Sequence, residues 1–365
     1  MAIPRSILWD RDPHTAVKHE ILRRYLMAWF PILANGFPEP VVTYVDAFAG
    51  PGEYTDGSEG SPLIALRQAL RGEVVSVAAQ VNLVFIEEHQ LRFEHLTDLV
   101  ERTFPARTRP KNVRVFAHQG DCRSLLAPAL NEAKAWNAPM FVNLDGWGTD
   151  TPYLVLQQLG RQDRCEVMIT FARGWPIRTA TRDDDPLDLD SFFGDPGWRS
   201  IAAQGTPAEK KRNLLDYYTD RLRGAGFPHS LSFELVDEGG HELLLVYGTK
   251  HEKGVARMKH AMWSVDRTHG QRFRDPKDVD QLTLPIEEEP DLTLLRRQLL
   301  ARVVATGEQT LDALKRYTLI ETIFREPHAK RAVDELEAEG KVDVDRKRSH
   351  SETVVRPTLL AHLQM

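Results

Sequence analysis

Four acidic residues close apolar runs in this 365-residue chain: Asp46 after VVTYV, Glu87 after VNLVFI, Asp121 after VRVFAHQG and Asp145 after MFVNL. The first is followed by AFAGPGEYTDGSEGSPL, which holds Gly50, Gly52, Gly57 and Gly60. Glycines in such a loop let the backbone approach a ligand closely and take φ > 0 where a turn demands it. An acid at the end of the second run can accept hydrogen bonds from both hydroxyls of a ribose. Glu87 and Glu88 are adjacent there. Side chains alternate along a strand, so only one of them points inward, and Glu87, directly at the strand end, is the better placed. Asp121 can accept an exocyclic amine of a purine, with the Cys122 N–H meeting the ring, or it can cap the helix that follows. In NLDGWG, Asn143, Asp145 and Trp147 recur at two-residue spacing. Asp145 there is a candidate general base or orienting group. Trp147 is a candidate wall for a slot that takes a flipped base.

The loop contains no G-x-x-x-x-G-K-[ST] pattern, and no long basic side chain stands beside it to hold a triphosphate. An acid beside the glycines instead suits a ligand with a cationic amino-acid end, which S-adenosylmethionine (SAM) has. The spelling D-A-F-A-G-P-G matches the D-x-F-x-G-x-G first motif of SAM-dependent methyltransferases. The candidate cofactor-binding residues are therefore Asp46, Phe48, Gly50, Gly52, Tyr54, Ser61, Glu87, Asp121 and Cys122.

The elements that must place these residues are legible from periodicity. Val17, Ile21, Leu22, Tyr25, Leu26 and Trp29 predict a helix over 15–34. Strands are expected at Val41–Phe48, Val81–Glu88, Val113–His118, Met140–Asp145 and Cys165–Phe171. Helices are expected between them at Pro62–Arg71, Gln90–Thr103, Ser124–Lys134 and Thr151–Leu159. Several strands are apolar throughout, as in a parallel sheet covered on both faces. Residues 173–229 read as polar and helical. LSFELVD and HELLLVYGT, joined at Glu238–Gly240, then read as a hairpin at the sheet edge. Alternating strand and helix followed by that hairpin predicts an α/β class, with a Rossmann-like SAM-methyltransferase core.

Composition excludes several classes. The hydrophobic share of 42% and charged share of 27% are ordinary for a globular protein. A net charge of -6 gives no global field toward nucleic acid, so any such contact must be local. The two cysteines, Cys122 and Cys165, stand far apart, which speaks against a disulfide framework and fits a cytoplasmic setting. No apolar run is long enough for a membrane span. The histidines show no zinc spacing and read as surface or capping residues, so no metal is expected. The aspartates of 183–190 could serve a two-metal nuclease, but such a run reads first as a solvated loop.

The C-terminal part reads as a separate domain. We divide the chain into a core at 1–270, a charged linker at 271–291 and a winged helix-turn-helix at 292–365. Three helices, Leu292–Val304, Thr310–Leu319 and Pro327–Glu339, precede a polar-tipped ribbon in KVDVDRKRSHSETVVRP. Residues 325–356 carry eight Lys/Arg and eight Asp/Glu. The positive charge is therefore local: Lys330 and Arg331 in the third helix, and Arg346, Lys347 and Arg348 at the wing tip, are the candidate nucleic-acid contacts. Arg173, Arg178 and Arg182 form a second basic set.

KHEILRRYLMAWFPIL from Lys18, DAFAGPGEYTDGSEGSPL from Asp46, EVMITF from Glu166 and YGTKHEKGVARMKHAMWSVD from Tyr247 together resemble the three-Cys-motif partner (TcmP) family over roughly residues 15–270. The resemblance implies a SAM-methyltransferase-type core, a bacterial or phage setting, and a radical-SAM-like partner akin to DNA photoproduct lyases, which carries the cysteines of the name. The function expected is SAM-dependent methyl transfer to nucleic acid, DNA ahead of RNA, in DNA modification or repair. The alternative is a non-catalytic DNA-binding protein that recruits the radical-SAM-like partner. A metal-dependent nuclease comes third. The segment Asp145-Gly146-Trp147-Gly148 lacks the prolines of the D-P-P-F and N-P-P-Y motifs, which speaks against methylation of an exocyclic amine.

Overall fold

The structure, a computed structural model, describes residues 6–36, 41–146, 149–172, 174–182, 188–236, 242–267, 269–270, 272–274, 290–346 and 353–363. The chain divides into two compact units, Met1–Lys250 with Phe273–Gln281, and His251–Arg272 with Leu282–Met365.

The first unit alternates strand and helix as the apolar runs require. Its elements are α1 (Pro13–Asn35), β1 (Val41–Asp46), α2 (Ser61–Ala69), α3 (Gly72–Val75), β2 (Gln80–Glu87), α4 (Gln90–Thr103), β3 (Val113–Gln119), α5 (Cys122–Glu132), β4 (Met140–Leu144), α6 (Tyr153–Gly160) and β5 (Cys165–Phe171). Then follow α7 (Gly174–Thr179), α8 (Leu189–Phe193), α9 (Trp198–Ala203), α10 (Pro207–Ala225), β6 (His229–Val236) and β7 (Glu242–Thr249). The strands form one sheet in the order β3-β2-β1-β4-β5-β7-β6, with a short β8 (Arg272–Arg274) ending the order beside β6. β1 to β5 pair in parallel, and β7 runs antiparallel to both β5 and β6. Five parallel strands with a reversed strand inserted beside the fifth make the Rossmann-like methyltransferase fold. The expected hairpin is thus present, and its second strand lies inside the order rather than at the edge. Its turn at 238–240 lies outside the described residues.

The period-2 alternation of β1 splits its side chains between two faces. Val45 and Ala47 enter the core formed with α5, α6 and α10. Tyr44 and Asp46 face the other way, where Tyr44 stacks on Phe141 of β4 with ring centres 6.0 Å apart. Tyr25 of α1 packs on the same Phe141 at 5.2 Å. This face is closed by α1, whose buried side chains run Val17, Ile21, Leu22, Tyr25, Leu26, Trp29. The same face holds a polar set: the Tyr25 hydroxyl donates to Glu166 Oε2 at 2.6 Å, and Thr249 Oγ1 donates to Glu166 Oε1 at 2.9 Å. The 173–229 stretch, read as polar, buries Phe192, Phe193, Trp198 and Tyr218 in the core of the other face.

The second unit contains α11 (Glu252–Val265), α12 (Thr293–Thr306), β9 (Gln309–Thr310), α13 (Leu311–Glu321), α14 (Glu326–Ala338), β10 (Val342–Asp345), β11 (Val354–Pro357) and α15 (Leu359–Leu363). Its three strands form an antiparallel sheet in the order β10-β11-β9. Leu295, Leu299, Leu314, Ala332, Leu336 and Val355 are among the residues of its apolar core. Among the described residues, no helix is long and apolar enough to cross a membrane.

Candidate functional site

A cavity of about 990 Å³ opens at the C-terminal ends of β1, β2 and β4, with walls from the β1–α2 loop, the start of α1 and the start of α5. It lies where the strand order reverses between β1 and β4, the place at which open α/β sheets take ligands.

Glu87 is the central acid of this cavity. It is 8% exposed, whereas Glu88 is exposed. Its Oε2 accepts the backbone N–H of Gly50 at 2.8 Å, and its Oε1 accepts that of His89 at 2.9 Å. Each carboxylate oxygen keeps a further acceptor position. The side chain thus clamps the glycine loop and still has capacity for a pair of hydroxyls.

The glycine loop is a folded object in its own right. Gly50 and Gly52 take φ of +63° and +87°. A Cβ on Gly52 would stand 2.8 Å from Leu96 Cδ1, and one on Gly60 would stand 2.9 Å from the Gly52 carbonyl oxygen. The loop is stitched to its neighbours by Ala47 N–H to Asn143 O at 3.0 Å, Ala49 N–H to Ile86 O at 2.9 Å and Gly60 N–H to Gly52 O at 2.7 Å. Phe48, Gly50, Gly52, Tyr54 and Ser61 all line the cavity.

Asp46 sits beneath this loop. It is 0% exposed and outside the cavity lining. Tyr44 donates to its Oδ2 at 3.0 Å, Asn143 donates to its Oδ1 at 3.4 Å, and the Ser61 hydroxyl also bonds it. Burial pushes its carboxyl up to about 6, against the lowering effect of those hydrogen bonds. The sequence places Asp46 in contact with a ligand; the structure shows it bracing the loop that forms the cavity floor. Asp121 and Cys122 both line the cavity. The Asp121 side chain accepts the Arg123 N–H at 2.9 Å and caps α5, so the capping alternative is realised. Burial pushes the Cys122 thiol up to about 12, so it is no thiolate nucleophile.

Asp145 closes the cavity at the end of β4. Two residues beyond Asn143, it falls on the α1 face of the sheet, and Lys18 of α1 meets it there. Lys18 Nζ donates to Oδ1 at 2.7 Å and to Oδ2 at 2.8 Å, and the Thr170 hydroxyl of β5 donates to Oδ1 as well. Burial acts to raise the Asp145 carboxyl, but the Lys18 charge and these hydrogen bonds outweigh it and hold the group below the usual range. A carboxylate so occupied is a poor proton acceptor. Trp147 lies outside the described residues.

Lys18 and two aromatic groups are site residues that the sequence reading missed. Trp9 meets Tyr54 edge to face at 5.9 Å, and His19 packs on Tyr54 at 5.6 Å. All of them line the cavity. His14 and His19, expected at the surface, are each 4% exposed. They lie on the side of α1 that faces the cavity, where His19 packs on Tyr54 of the glycine loop. Burial first, and then the Lys18 charge, lower His19 to about 3, so its ring is neutral. The signal was present in the sequence: a lysine and two histidines inside the apolar stripe of a helix have no business there unless paired or functional.

The candidate nucleic-acid contacts of the second unit are internally paired. Lys330 meets Asp334 at 2.6 Å, Arg331 meets Glu335 at 3.1 Å, and Arg346 meets Glu337 at 2.6 Å and Asp334 at 3.0 Å. Lys347 and Arg348 lie outside the described residues, as do Arg173 and Asp183–Asp185. Asp188 and Asp190 are engaged by Arg123 at 3.3 Å and by the Trp198 Nε1–H at 2.7 Å.

No protein-family description matches the chain, and no curated protein sequence matches it. Among solved structures it is similar to Trm1 from Pyrococcus horikoshii in complex with S-adenosyl-L-methionine, at 13% identity and TM-score 0.38, covering 100% of this chain and 95% of that one. It is also similar to the human methyltransferase 10 domain containing protein, at 11% identity and TM-score 0.32, covering 63% and 82%. The N-terminal domain of EvdMO1 with SAH bound matches at 11% identity and TM-score 0.34, covering 63% and 81%. The fold of the chain rests on its own strand order and registers.

Proposed function

We propose that the first unit binds SAM in this cavity and transfers its methyl group to a nucleic acid. The observation that carries the reading is the Glu87 carboxylate, held at the end of β2 by the Gly50 N–H of the glycine loop, at the reversal point of a methyltransferase-ordered sheet. The residues present fit the cofactor. Glu87 offers two acceptor positions to ribose hydroxyls, the Gly50–Gly52 backbone admits a close-lying chain, and the Cys122 backbone stands at the start of α5 for the adenine edge. Tyr54 and Phe48, which line the cavity, would flank the methionine part, and Asp46 holds the loop from below. When bound, the cofactor supplies an electrophilic methyl group on a sulfonium centre. The chain's own residues bind, orient and exclude water.

The cavity is at the upper end of the ~300–1,000 Å³ usual for small-molecule sites, which leaves room for an acceptor beside the cofactor. The wall of Trp9 and Tyr54 offers an aromatic surface of the kind on which unstacked bases lie. The second unit we read as a winged helix, from its order of helices and its β10–β11 ribbon, and as the nucleic-acid contact through residues 292–365. Calorimetric titration with SAM and SAH tests the core of the proposal. Micromolar binding that weakens at least tenfold in Glu87→Gln supports it, and no binding by the unaltered protein overturns it.

A second reading has its own observation. The β4-end carboxylate is closed by Lys18 and Thr170, so the core lacks a free base at the expected place. A non-catalytic core that recruits a radical-SAM-like partner to DNA accommodates this. Under that reading the protein binds SAM weakly or not at all, co-purifies with the partner and methylates nothing.

A further inference from the structure

The corner of the cavity formed by α1, β4 and β5 is polar, partly buried and unusually rich in donors. Lys18 is 9% exposed and has three N–H donors. Two are directed at the two oxygens of Asp145, which leaves one for the cavity that Lys18 lines. Asp145 accepts from Lys18 and Thr170 together. Beside them, His19 Nδ1 is buried with no hydrogen-bond partner among the described residues, although the ring lines the same cavity. An uncompensated buried ring nitrogen in a cavity wall marks a place where a ligand atom supplies the missing bond.

These groups select the acceptor atom. A planar exocyclic amine presents N–H donors and needs acceptors around it. At this corner the Asp145 carboxylate is already taken by Lys18 and Thr170, and the group beside it that lines the cavity is an ammonium. An oxygen is the complementary atom: its lone pairs accept from Lys18, and a hydroxyl hydrogen has the neutral His19 ring as a neighbour. We infer that the acceptor is a hydroxyl oxygen held by Lys18, which in a nucleic acid is the ribose 2′-hydroxyl of RNA. Asp145 is a positioning residue that holds the ammonium in place and balances its charge, and Thr170 in turn holds Asp145. This rests on the SAM reading above, and it reverses the expected order of DNA before RNA. In the step, an oxygen lone pair forms the new O–CH₃ bond as the methyl–sulfur bond breaks. The electron pair of that bond stays on sulfur, and the hydroxyl proton passes to the neighbouring His19 ring nitrogen and on to solvent when the product leaves.

The test separates the two readings by doing binding first. SAH is titrated into the unaltered protein, Lys18→Met and the double variant Lys18→Gln/Asp145→Asn, which keeps a neutral hydrogen-bonded pair should the single variant not fold. All folded forms should bind SAH within about threefold of each other, since Glu87 and the loop are untouched. With SAH present, mixed-sequence single-stranded RNA is then titrated against DNA of the same sequence. RNA should bind tighter, and the preference should fall about tenfold or more in both variants, the loss of one charge-assisted bond to the hydroxyl. Finally, RNA methylated with labelled SAM is digested with alkali. Label in alkali-resistant dinucleotides supports the inference. Label on a base, on DNA or on protein overturns it, as does an RNA preference unchanged in the variants. Absence of SAH binding would instead sink the cofactor reading on which the inference stands.

Discussion

Lys18 and Asp145, 127 residues apart in the chain, form a two-point ion pair at 2.7 and 2.8 Å that joins the first helix to the end of the fourth strand. Seven residues further along α1, Tyr25 joins the start of β5 through Glu166. Two polar links two helical turns apart fix the register of α1 over the sheet. Breaking the pair by Asp145→Ala leaves the largely buried Lys18 ammonium without its carboxylate, a loss of about 3 kcal/mol. Denaturant unfolding should show a lower midpoint with an unchanged slope. A midpoint within error of the unaltered protein would remove the pair from the forces holding α1.

Glu87 satisfies two backbone donors at once, Gly50 and His89. Glu87→Gln replaces one accepting oxygen by an NH₂ group that faces an N–H. One buried donor is then unmet, at a cost of about 1–3 kcal/mol. The loop loosens, so stability and SAH affinity should fall together. Affinity that survives while stability falls would show that Glu87 serves the loop alone.

Gly52 and Gly57 separate backbone strain from crowding. Both have positive φ, +87° and +74°. A Cβ on Gly57 meets nothing within 4 Å, whereas one on Gly52 meets Leu96, Leu99 and Leu63 at 2.8, 3.1 and 3.3 Å. Gly57→Ala should therefore cost about 1–2 kcal/mol, the left-handed penalty alone. Gly52→Ala should cost clearly more and weaken adenosyl binding, because the loop must shift away from α4. Equal effects of the two substitutions would contradict this geometry.

His19 and Asp46 set opposing pH dependences. His19 falls from 6.5 to about 3 through burial first and then Lys18, so the folded state binds fewer protons than the unfolded chain in that window. Its contribution to stability is full above pH 6.5 and is lost as pH falls toward 3. Asp46 rises from 3.8 to about 6 through burial. Its contribution is full below pH 3.8 and is lost as pH rises through 6. Between about pH 4 and 6 the two slopes, each up to about 1.4 kcal/mol per pH unit, largely cancel. Asp46→Asn should make stability fall with acid across this range, and His19→Gln should make it rise. Denaturant midpoints measured in half-unit pH steps decide the matter. A flat profile in both variants would show that neither group titrates as its burial requires.

The periodic elements were legible because they depend on local pattern. The apolar strands and the alternating helices follow from hydrophobic spacing, and the acids at β1, β2 and β4 follow from position in the motif. What the sequence hid was direction. Asp46 and Glu87 both look like ligand-facing acids, yet the shared face of Tyr44 and Asp46 turns Asp46 toward Asn143 and away from the cavity. Lys18 hid because its partner, Asp145, lies more than a hundred residues away, and helix periodicity carries no information about the strand a helix will cover. The aromatics of α8 to α10 hid in a stretch whose average composition is polar, since a few large rings at wide spacing suffice to cover a sheet face. α11 hid among charged residues, where its burial of Met258, Lys259 and Met262 depends on packing within the second unit.

Lys259 offers the sharpest test of that unit. It is 2% exposed, and its ammonium donates to the carbonyls of Thr318 at 3.3 Å, Leu319 at 2.5 Å, Thr322 at 2.5 Å and Phe324 at 2.9 Å. These carbonyls lie in the last turn of α13 and just beyond its end, where helix carbonyls lack backbone partners and a cation also meets the negative end of the helix dipole; that of Thr318 also accepts the Thr322 hydroxyl at 2.6 Å. Burial pushes the ammonium down to about 7, with Glu326 acting the other way. The folded state therefore binds fewer protons than the unfolded chain between about pH 7 and 10.5, and stability of this unit rises with pH across that window. Lys259→Met fills the volume but supplies no donor, so several buried carbonyls go unmet, a loss of about 3 kcal/mol or more. The alkaline rise should vanish with it. SAH affinity should stay within about twofold, because the cavity is lined by residues of the first unit alone. Amide exchange should quicken at Thr322 to Phe324 and in the last turn of α13 while the β1–β5 amides keep their protection. If those amides exchange as slowly in Lys259→Met as in the unaltered protein, the lysine is not what closes the helix.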